Sequence, residues 1–180
     1  MAKFEVLPTI DILPNETILP TQQLPELVHL NDPAFFVMID FTKTAPQVIK
    51  PNKTMDEAIR EMKVTDTNLL LVMNEAGHFL GVISSEDVLG EKPIQIIQER
   101  RIARDQVLVS MLMIPYSEIT AIDISIVKGA RVGNVVKTLS EKNQHCALAV
   151  LSVENQRDKI IRGIFTATQI SKQLHHDFSY

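Results

Sequence analysis

The sequence predicts an α+β protein in which one unit of strand, helix, strand, strand and helix occurs twice. Three observations predict this class. A helical pattern of apolar residues begins at Met55 and recurs at Val132, a buried strand follows each pattern at the same distance, and each strand leads through a polar turn to a second strand that contains a glycine. One copy alone cannot bury both faces of its small sheet. We therefore expect the two copies to pack sheet to sheet about a pseudo-two-fold axis.

Both predicted helices have apolar residues at i, i+3, i+4 and i+7, which is typical of a helix with one buried face. Thr54 and Glu57 have the spacing of a capping box and so place the start of the first helix. The apolar positions, 77 residues apart in the two copies, are Met55, Ala58, Ile59 and Met62, then Val132, Val135, Val136 and Leu139.

A β-hairpin pattern follows each helix, and a shorter strand precedes it. The glycines of the two hairpins, Gly81 and Gly163, lie 82 residues apart, so the second hairpin has five additional residues in its turn. A loop accepts such an insertion at little cost in free energy. The expected strands are residues 47–49, 69–73 and 79–83 in the first copy and 119–126, 146–150 and 160–165 in the second.

Residues 1–36 are expected to form an extended arm, because Val-Leu-Pro or Ile-Leu-Pro recurs every six residues from Val6 to Pro20 and proline interrupts helices and central strands. The apolar content favours an arm that docks on its own domain or on a partner subunit, with a mobile tail as the alternative. Residues 37–180 are expected to form the folded module. Its parts are a first repeat at about 37–92, a joining helix at about 93–106 and a second repeat at about 107–175.

Composition excludes several classes of protein. The chain has 180 residues, 45% of them hydrophobic, and a formal net charge of −4, so no nucleic-acid partner is expected. A single cysteine, Cys146, excludes an intrachain disulfide and a multi-cysteine metal site. The longest apolar runs have six residues, whereas a membrane-spanning helix needs about 20. Without a secretory signal pattern, the protein is expected to be cytoplasmic and not bound to a membrane.

The first hairpin ends in Gly81, Ser84 and Asp87, and the matching positions of the second copy are Gly163, Thr166 and Gln169. This repeated pattern resembles the CBS domain, whose tandem pairs are called Bateman modules and whose signature is Gly, then Ser or Thr, then Asp at these spacings. The similarity covers roughly residues 37–175, and Gln169 departs from the signature. The resemblance implies binding of adenine nucleotides or related adenosyl ligands in clefts between the repeats, and regulation of an attached or separate partner.

The better candidate cleft contains the complete signature. Ser84 and Ser85 lie at a predicted helix N-terminus, which attracts phosphate, and Asp87 is suited to accept hydrogen bonds from a ribose diol. The alternative is that Ser85 caps the helix and Asp87 offsets its dipole. Arg131 is a candidate countercharge for phosphate. The resemblance adds the start of the second repeat to this cleft: Met113, Ile114, Pro115 and Tyr116.

The second cleft is expected to be weaker, because the amide of Gln169 binds a hydroxyl less strongly than a carboxylate does. The resemblance implies that this cleft combines the end of the second signature with the start of the first repeat. Its predicted residues are Thr42, Lys43, Thr44, Ala45, Thr166 and Gln169.

No catalytic residue is assigned, because the sequence has no Gly-x-Ser-x-Gly elbow, and no metal ligand is assigned, because the histidines lack metal-site spacing. No required cofactor is expected, and AMP, ADP, ATP and S-adenosylmethionine are the candidate regulatory ligands. The resemblance thus implies a regulatory, non-enzymatic, nucleotide-sensing module without an effector domain, acting through its homodimer or on an unidentified protein partner. The alternative is a module that binds no ligand and serves in dimerisation or scaffolding.

Overall fold

A computed structural model describes residues 24–152 and 159–174. Most of the predicted arm, residues 1–23, lies outside the described residues. The described chain has the predicted α+β fold with two four-stranded sheets. The strands are β1 (Ile39–Asp40), β2 (Val48–Ile49), β3 (Leu69–Met73), β4 (Phe79–Ser84), β5 (Ile114–Pro115), β6 (Thr120–Asp123), β7 (Cys146–Ser152) and β8 (Lys159–Thr166). The helices are α1 (Met55–Val64), α2 (Ser85–Leu89), α3 (Lys92–Arg100), α4 (Val109–Leu112), α5 (Ile124–Val127), α6 (Val132–Lys142) and α7 (Ala167–Gln173).

The first sheet has the order β2, β3, β4, β5. The helix α1 connects the parallel strands β2 and β3, and β3 and β4 form the predicted hairpin. The predicted capping box is confirmed: the Thr54 hydroxyl accepts from the Glu57 amide, and Glu57 accepts from the Thr54 amide.

The second sheet has the order β1, β8, β7, β6 and repeats this plan with α6 as the connecting helix. The strand predicted for residues 119–126 is too long. The strand β6 ends at Asp123, because the Asp123 carboxylate accepts from the amide and the hydroxyl of Ser125 and so caps the short helix α5.

The fourth strand of each sheet comes from the segment that precedes the other repeat. We call residues 33–40 and 108–115 the leading segments. The strand β1 of the first leading segment pairs with β8, and β5 of the second pairs with β4. Each leading segment also forms an isolated β-bridge with the N-cap of the connecting helix in that sheet. Pro33 pairs with Arg131 before α6, and Leu108 pairs with Thr54 before α1. The repeats therefore exchange their leading segments.

The core has one part in each repeat and a third part between the sheets. The shared part contains Leu71 and Val82 of the first sheet and Cys146, Leu148 and Ile164 of the second. This confirms the expected sheet-to-sheet packing. Part of the sequence assigned to the arm also enters the core, because Val28 and Ala34 are buried against the second repeat.

Candidate functional site

A cavity of about 250 Å³ lies between the two repeats. The last residues of β4 and β8, Ser84 and Thr166, both line it, so each signature contributes to the same space. The loop between β1 and β2 forms another wall, and the turn between α1 and β3 a further one. Ile39, Leu71 and Ile164 add apolar surface. The cavity thus combines hydroxyl groups with an apolar wall.

This cavity corresponds to the cleft that the sequence ranks second. Four of its six predicted residues line the cavity, and Ser84 and Ser85 of the other predicted cleft line it as well. Thr42 instead donates its hydroxyl to Asp40, at 2.7 Å, and Lys43 lines a neighbouring cavity of about 360 Å³. The four residues are Thr44, Ala45, Thr166 and Gln169.

Thr166 and Gln169 form half of a capping box at α7. The Thr166 hydroxyl accepts from the Gln169 amide at 3.2 Å. The Gln169 side chain points along the helix and donates from Nε2 to Oε1 of Gln173 at 3.0 Å. Gln169 lines the cavity.

Asp87 forms the complete capping box of α2. Its Oδ2 accepts from the Ser84 amide and hydroxyl, at 2.9 and 2.7 Å. The cap of α2 is thus Ser84 and not Ser85. Lys92 lies beside Asp87, with Nζ 3.9 Å from Oδ1, and donates to the carbonyl of Leu112. An ammonium group therefore fills the space between Asp87 and the second leading segment.

The residues predicted to share a cleft with Asp87 are only partly brought together. Ile114 lines a smaller cavity of about 230 Å³ that also includes residues 142–146, but Asp87 does not line that cavity. Tyr116 is 63% exposed. Met113 packs against the core of the first repeat, and Pro115 pairs with Gly81.

Arg131 lies far from this smaller cavity. It caps the start of α6, and the other end of α6, at Lys142, reaches the cavity. Eleven helical residues span about 16 Å. The guanidinium of Arg131 donates to the carbonyl of Asn31, so its position is set by the first leading segment and its neighbours.

Cys146 lies in the interface between the sheets. Burial, together with the nearby charge of Asp87, raises the pKa of its thiol to about 11. The thiol is protonated at neutral pH and packs as a small apolar side chain.

The sequence missed four residues with ionisable side chains in the 250 Å³ cavity. Glu86 of the first repeat and His145 of the second lie 3.2 Å apart across the interface, and Asp66 and Lys172 complete the set. A signal existed for His145, because it occupies the position of Asn68 in the first repeat and both precede a buried strand. An alignment of the two repeats that includes the turn before each strand would have identified His145 and Asn68 as matching positions.

Comparison with known proteins finds a family match over part of the chain and several structures of similar fold. The family model of the CBS domain matches residues 38–93. An uncharacterized conserved protein from Pyrococcus horikoshii superposes with a TM-score of 0.55 at 20% identity, covering 81% of this chain and 93% of that chain. A hemolysin-like protein containing a CBS domain, from Oenococcus oeni PSU, gives 0.54 at 17% identity, with coverage of 81% and 93%.

A third structure, CBSX2 in complex with AMP, has a TM-score of 0.52 at 17% identity and covers 79% of this chain and 94% of that chain. The search of curated proteins finds no match to this sequence. The family match covers residues 38–93 alone, and the described residues of the chain have the fold of known structures that contain CBS domains. None of the described helices has the length and apolar character needed to cross a bilayer.

Proposed function

We propose that this protein is a regulatory module that binds an adenosyl ligand in the cavity between its repeats. The observation that carries the proposal is the 250 Å³ cavity at the ends of β4 and β8, which both signatures line. The AMP complex of CBSX2, a protein of the same fold, supports this ligand class. The module acts on a separate partner or through its dimer, and no reaction is assigned to it.

The size and charge of the cavity favour a small ligand. Typical ligand pockets are about 300–1,000 Å³, and this cavity, at about 250 Å³, lies just below that range. Its cationic side chain is Lys172, with Asp66 and Glu86 as carboxylates and His145 beside Glu86. One ammonium group compensates the negative charge of a single phosphate better than that of three phosphates. We therefore expect adenosine or AMP to bind more tightly than ATP.

A thermal-shift panel of AMP, ADP, ATP and S-adenosylmethionine tests the proposal. A ligand present at a hundred times its Kd stabilises a protein by about 2.7 kcal/mol, which raises Tm by several degrees. The two clefts are distinguished by two variants. Ala45→Phe fills the 250 Å³ cavity from an exposed loop position and should abolish the shift, whereas Asp87→Ala should retain it. The reverse result would assign binding to the cleft at Asp87.

A second candidate function is dimerisation or scaffolding without a ligand. The observation that favours it is the exposure of Leu89 and Ile94, 71% and 57%, on the neighbouring helices α2 and α3. Sedimentation velocity of the wild type and of Leu89→Asp with Ile94→Asp tests it. A dimer that dissociates in the double variant, with no thermal shift from any nucleotide, would support scaffolding over sensing.

A further inference from the structure

Gln173 is a buried polar side chain with a fixed amide orientation. It is 3% exposed at the end of α7, and its Nε2 donates to the carbonyls of Pro25, at 2.6 Å, and Phe36, at 2.9 Å. Which end of a side-chain amide is oxygen and which is nitrogen is assigned from the hydrogen-bond partners. Here two backbone carbonyls, which only accept, require the nitrogen on their side. Oε1 of Gln173 must therefore face Gln169.

The orientation of Gln173 determines that of Gln169. Since Oε1 of Gln173 only accepts, Gln169 must present its own nitrogen, and Nε2 donates at 3.0 Å. The oxygen of Gln169 is then left as an acceptor, and it has no hydrogen-bond partner among the described residues. Gln169 lines the cavity. The amide pair thus turns Gln169 into an acceptor at the position where the signature has a carboxylate.

We propose that Gln173 is a positioning residue for the ligand cavity, which fixes Gln169 as an acceptor for a ligand hydroxyl and couples ligand binding to docking of residues 24–37. The proposal rests on the proposed function of the same cavity. We call residues 24–37 the N-terminal segment. The position of Gln173 in the first repeat is Glu91, which is exposed, so the coupling belongs to the second repeat.

The N-terminal segment is held by the same residue that orients Gln169. Besides the two side-chain bonds, the Val28 amide donates to the backbone carbonyl of Gln173 at 2.9 Å. Val28 is buried in the core of the second repeat. If a ligand hydroxyl favours the observed orientation of Gln169, it also favours the docked N-terminal segment. Coupling between binding equilibria is reciprocal, so docking of the segment must increase the ligand affinity by the same factor.

The positioning role is tested by calorimetric titration of AMP into folded wild type and Gln173→Met. We expect a Kd about tenfold higher in the variant, since the acceptor is no longer oriented. Gln95→Met makes the same chemical change at an exposed position of α3 and should leave Kd unchanged. An equal Kd in wild type and Gln173→Met would overturn the positioning role.

A rescue variant separates positioning from a merely structural effect. In Gln169→Asp the shorter carboxylate can accept from the amide and hydroxyl of Thr166, as Asp87 does from Ser84. Gln173→Met should then change the Kd for AMP by less than twofold in the Gln169→Asp background. A tenfold loss in both backgrounds would show that Gln173 only supports the fold, and would contradict the proposal.

Hydrogen exchange of the wild type tests the coupling without any substitution. AMP should slow exchange of the Val28 amide and its neighbours in the N-terminal segment. Binding of AMP with unchanged exchange there would overturn the coupling while leaving the proposed function intact. Failure of AMP to bind the wild type at all would overturn the proposed function, and this inference with it.

Discussion

The glycines of the two signatures, Gly81 and Gly163, allow close approach of the exchanged strands. A Cβ atom built on Gly163 would lie 2.5 Å from the carbonyl oxygen of Ile39 and 3.2 Å from the Met38 side chain. On Gly81 it would meet the carbonyl of Ile114 even more closely. Both contacts involve β1 or β5, the strand supplied by the leading segment. The signature glycine is thus a packing requirement of the exchanged strand.

Gly163→Ala should destabilise the protein by about 1–3 kcal/mol, because backbone atoms of β1 cannot move aside as a flexible side chain can. Urea unfolding measures the change in the free energy of unfolding. Gly129→Ala is the matched control, since the nearest atom to its Cβ would be 4.0 Å away. Equal stability of the two variants would show that β1 is not packed closely against Gly163 of β8 in solution.

Among the ionisable side chains, Asp40 has the clearest structural role. Burial raises its pKa, but hydrogen bonds from Arg162 and Thr42 outweigh burial and lower the pKa to about 2. Nε and the NH2 group of Arg162 bind the carboxylate at 2.9 and 3.0 Å. This bidentate pair fastens β1 to β8.

Asp40→Asn should destabilise the protein by about 1 kcal/mol at pH 7, since the partly exposed pair loses its charge. The carboxylate stabilises the fold above its unfolded pKa, near 3.8, and this stabilisation is lost as the pH falls from about 4 through 2. The difference between wild type and variant in urea unfolding should therefore shrink over that range. A difference independent of pH would mean that the charge of Asp40 is not involved.

At the scale of single elements, α1, α6 and both hairpins could be predicted because each is long enough to show a period. The strands β1 and β5 could not, because their pairing depends on the opposite repeat. Residues 119–126 place isoleucine at 122, 124 and 126, an alternation typical of a strand. This alternation conceals the turn into α5, which begins at the short side chain of Asp123.

The N-cap of α2 gives a prediction at the same scale. Ser84→Ala removes the hydroxyl that accepts from the Asp87 amide and donates to the Asp87 carboxylate. The free energy of unfolding should fall by about 1 kcal/mol, as for other N-caps. Ser85→Ala is the control, since the cap lies one residue earlier, and should have a smaller effect. A larger loss at Ser85 would place the cap where the sequence alternative put it.

The candidate site was harder to predict than the elements. The two signatures located Thr166 and Gln169, since repeated positions carry the same local structure. Gln173 gave no signal, because a buried glutamine at the end of an amphipathic helix looks like an exposed one until its partners are known. The partners belong to a distant part of the chain.

For the whole molecule, exchange of the leading segments means that a repeat defined by sequence is not a folding unit. Residues 38–93, the match to the CBS family model, lack three fully buried side chains of their own core: Val107, Val109 and Leu112. Burying these contributes about 6 kcal/mol, which is comparable to the stability of a small domain.

A fragment of residues 38–93 should therefore be unfolded, as measured by circular dichroism and amide dispersion in NMR spectra. A fragment of residues 47–118 contains the whole first sheet and α4, and it should recover helical signal. A cooperatively folded 38–93 fragment would show that the leading segment contributes little to the first repeat.

The exchange also affects the order in which the protein can fold during synthesis. The first sheet becomes complete once residue 115 has been made, but β1, made earlier, must wait for β8, which ends at Thr166. At 5–20 residues per second, the ribosome needs roughly 6–25 s to add residues 41–166, which separate the end of β1 from the end of β8. Throughout that interval the nascent chain presents Val28, Ala34 and Val37 without their core. We expect a chaperone that binds apolar segments to bind the nascent chain at these residues.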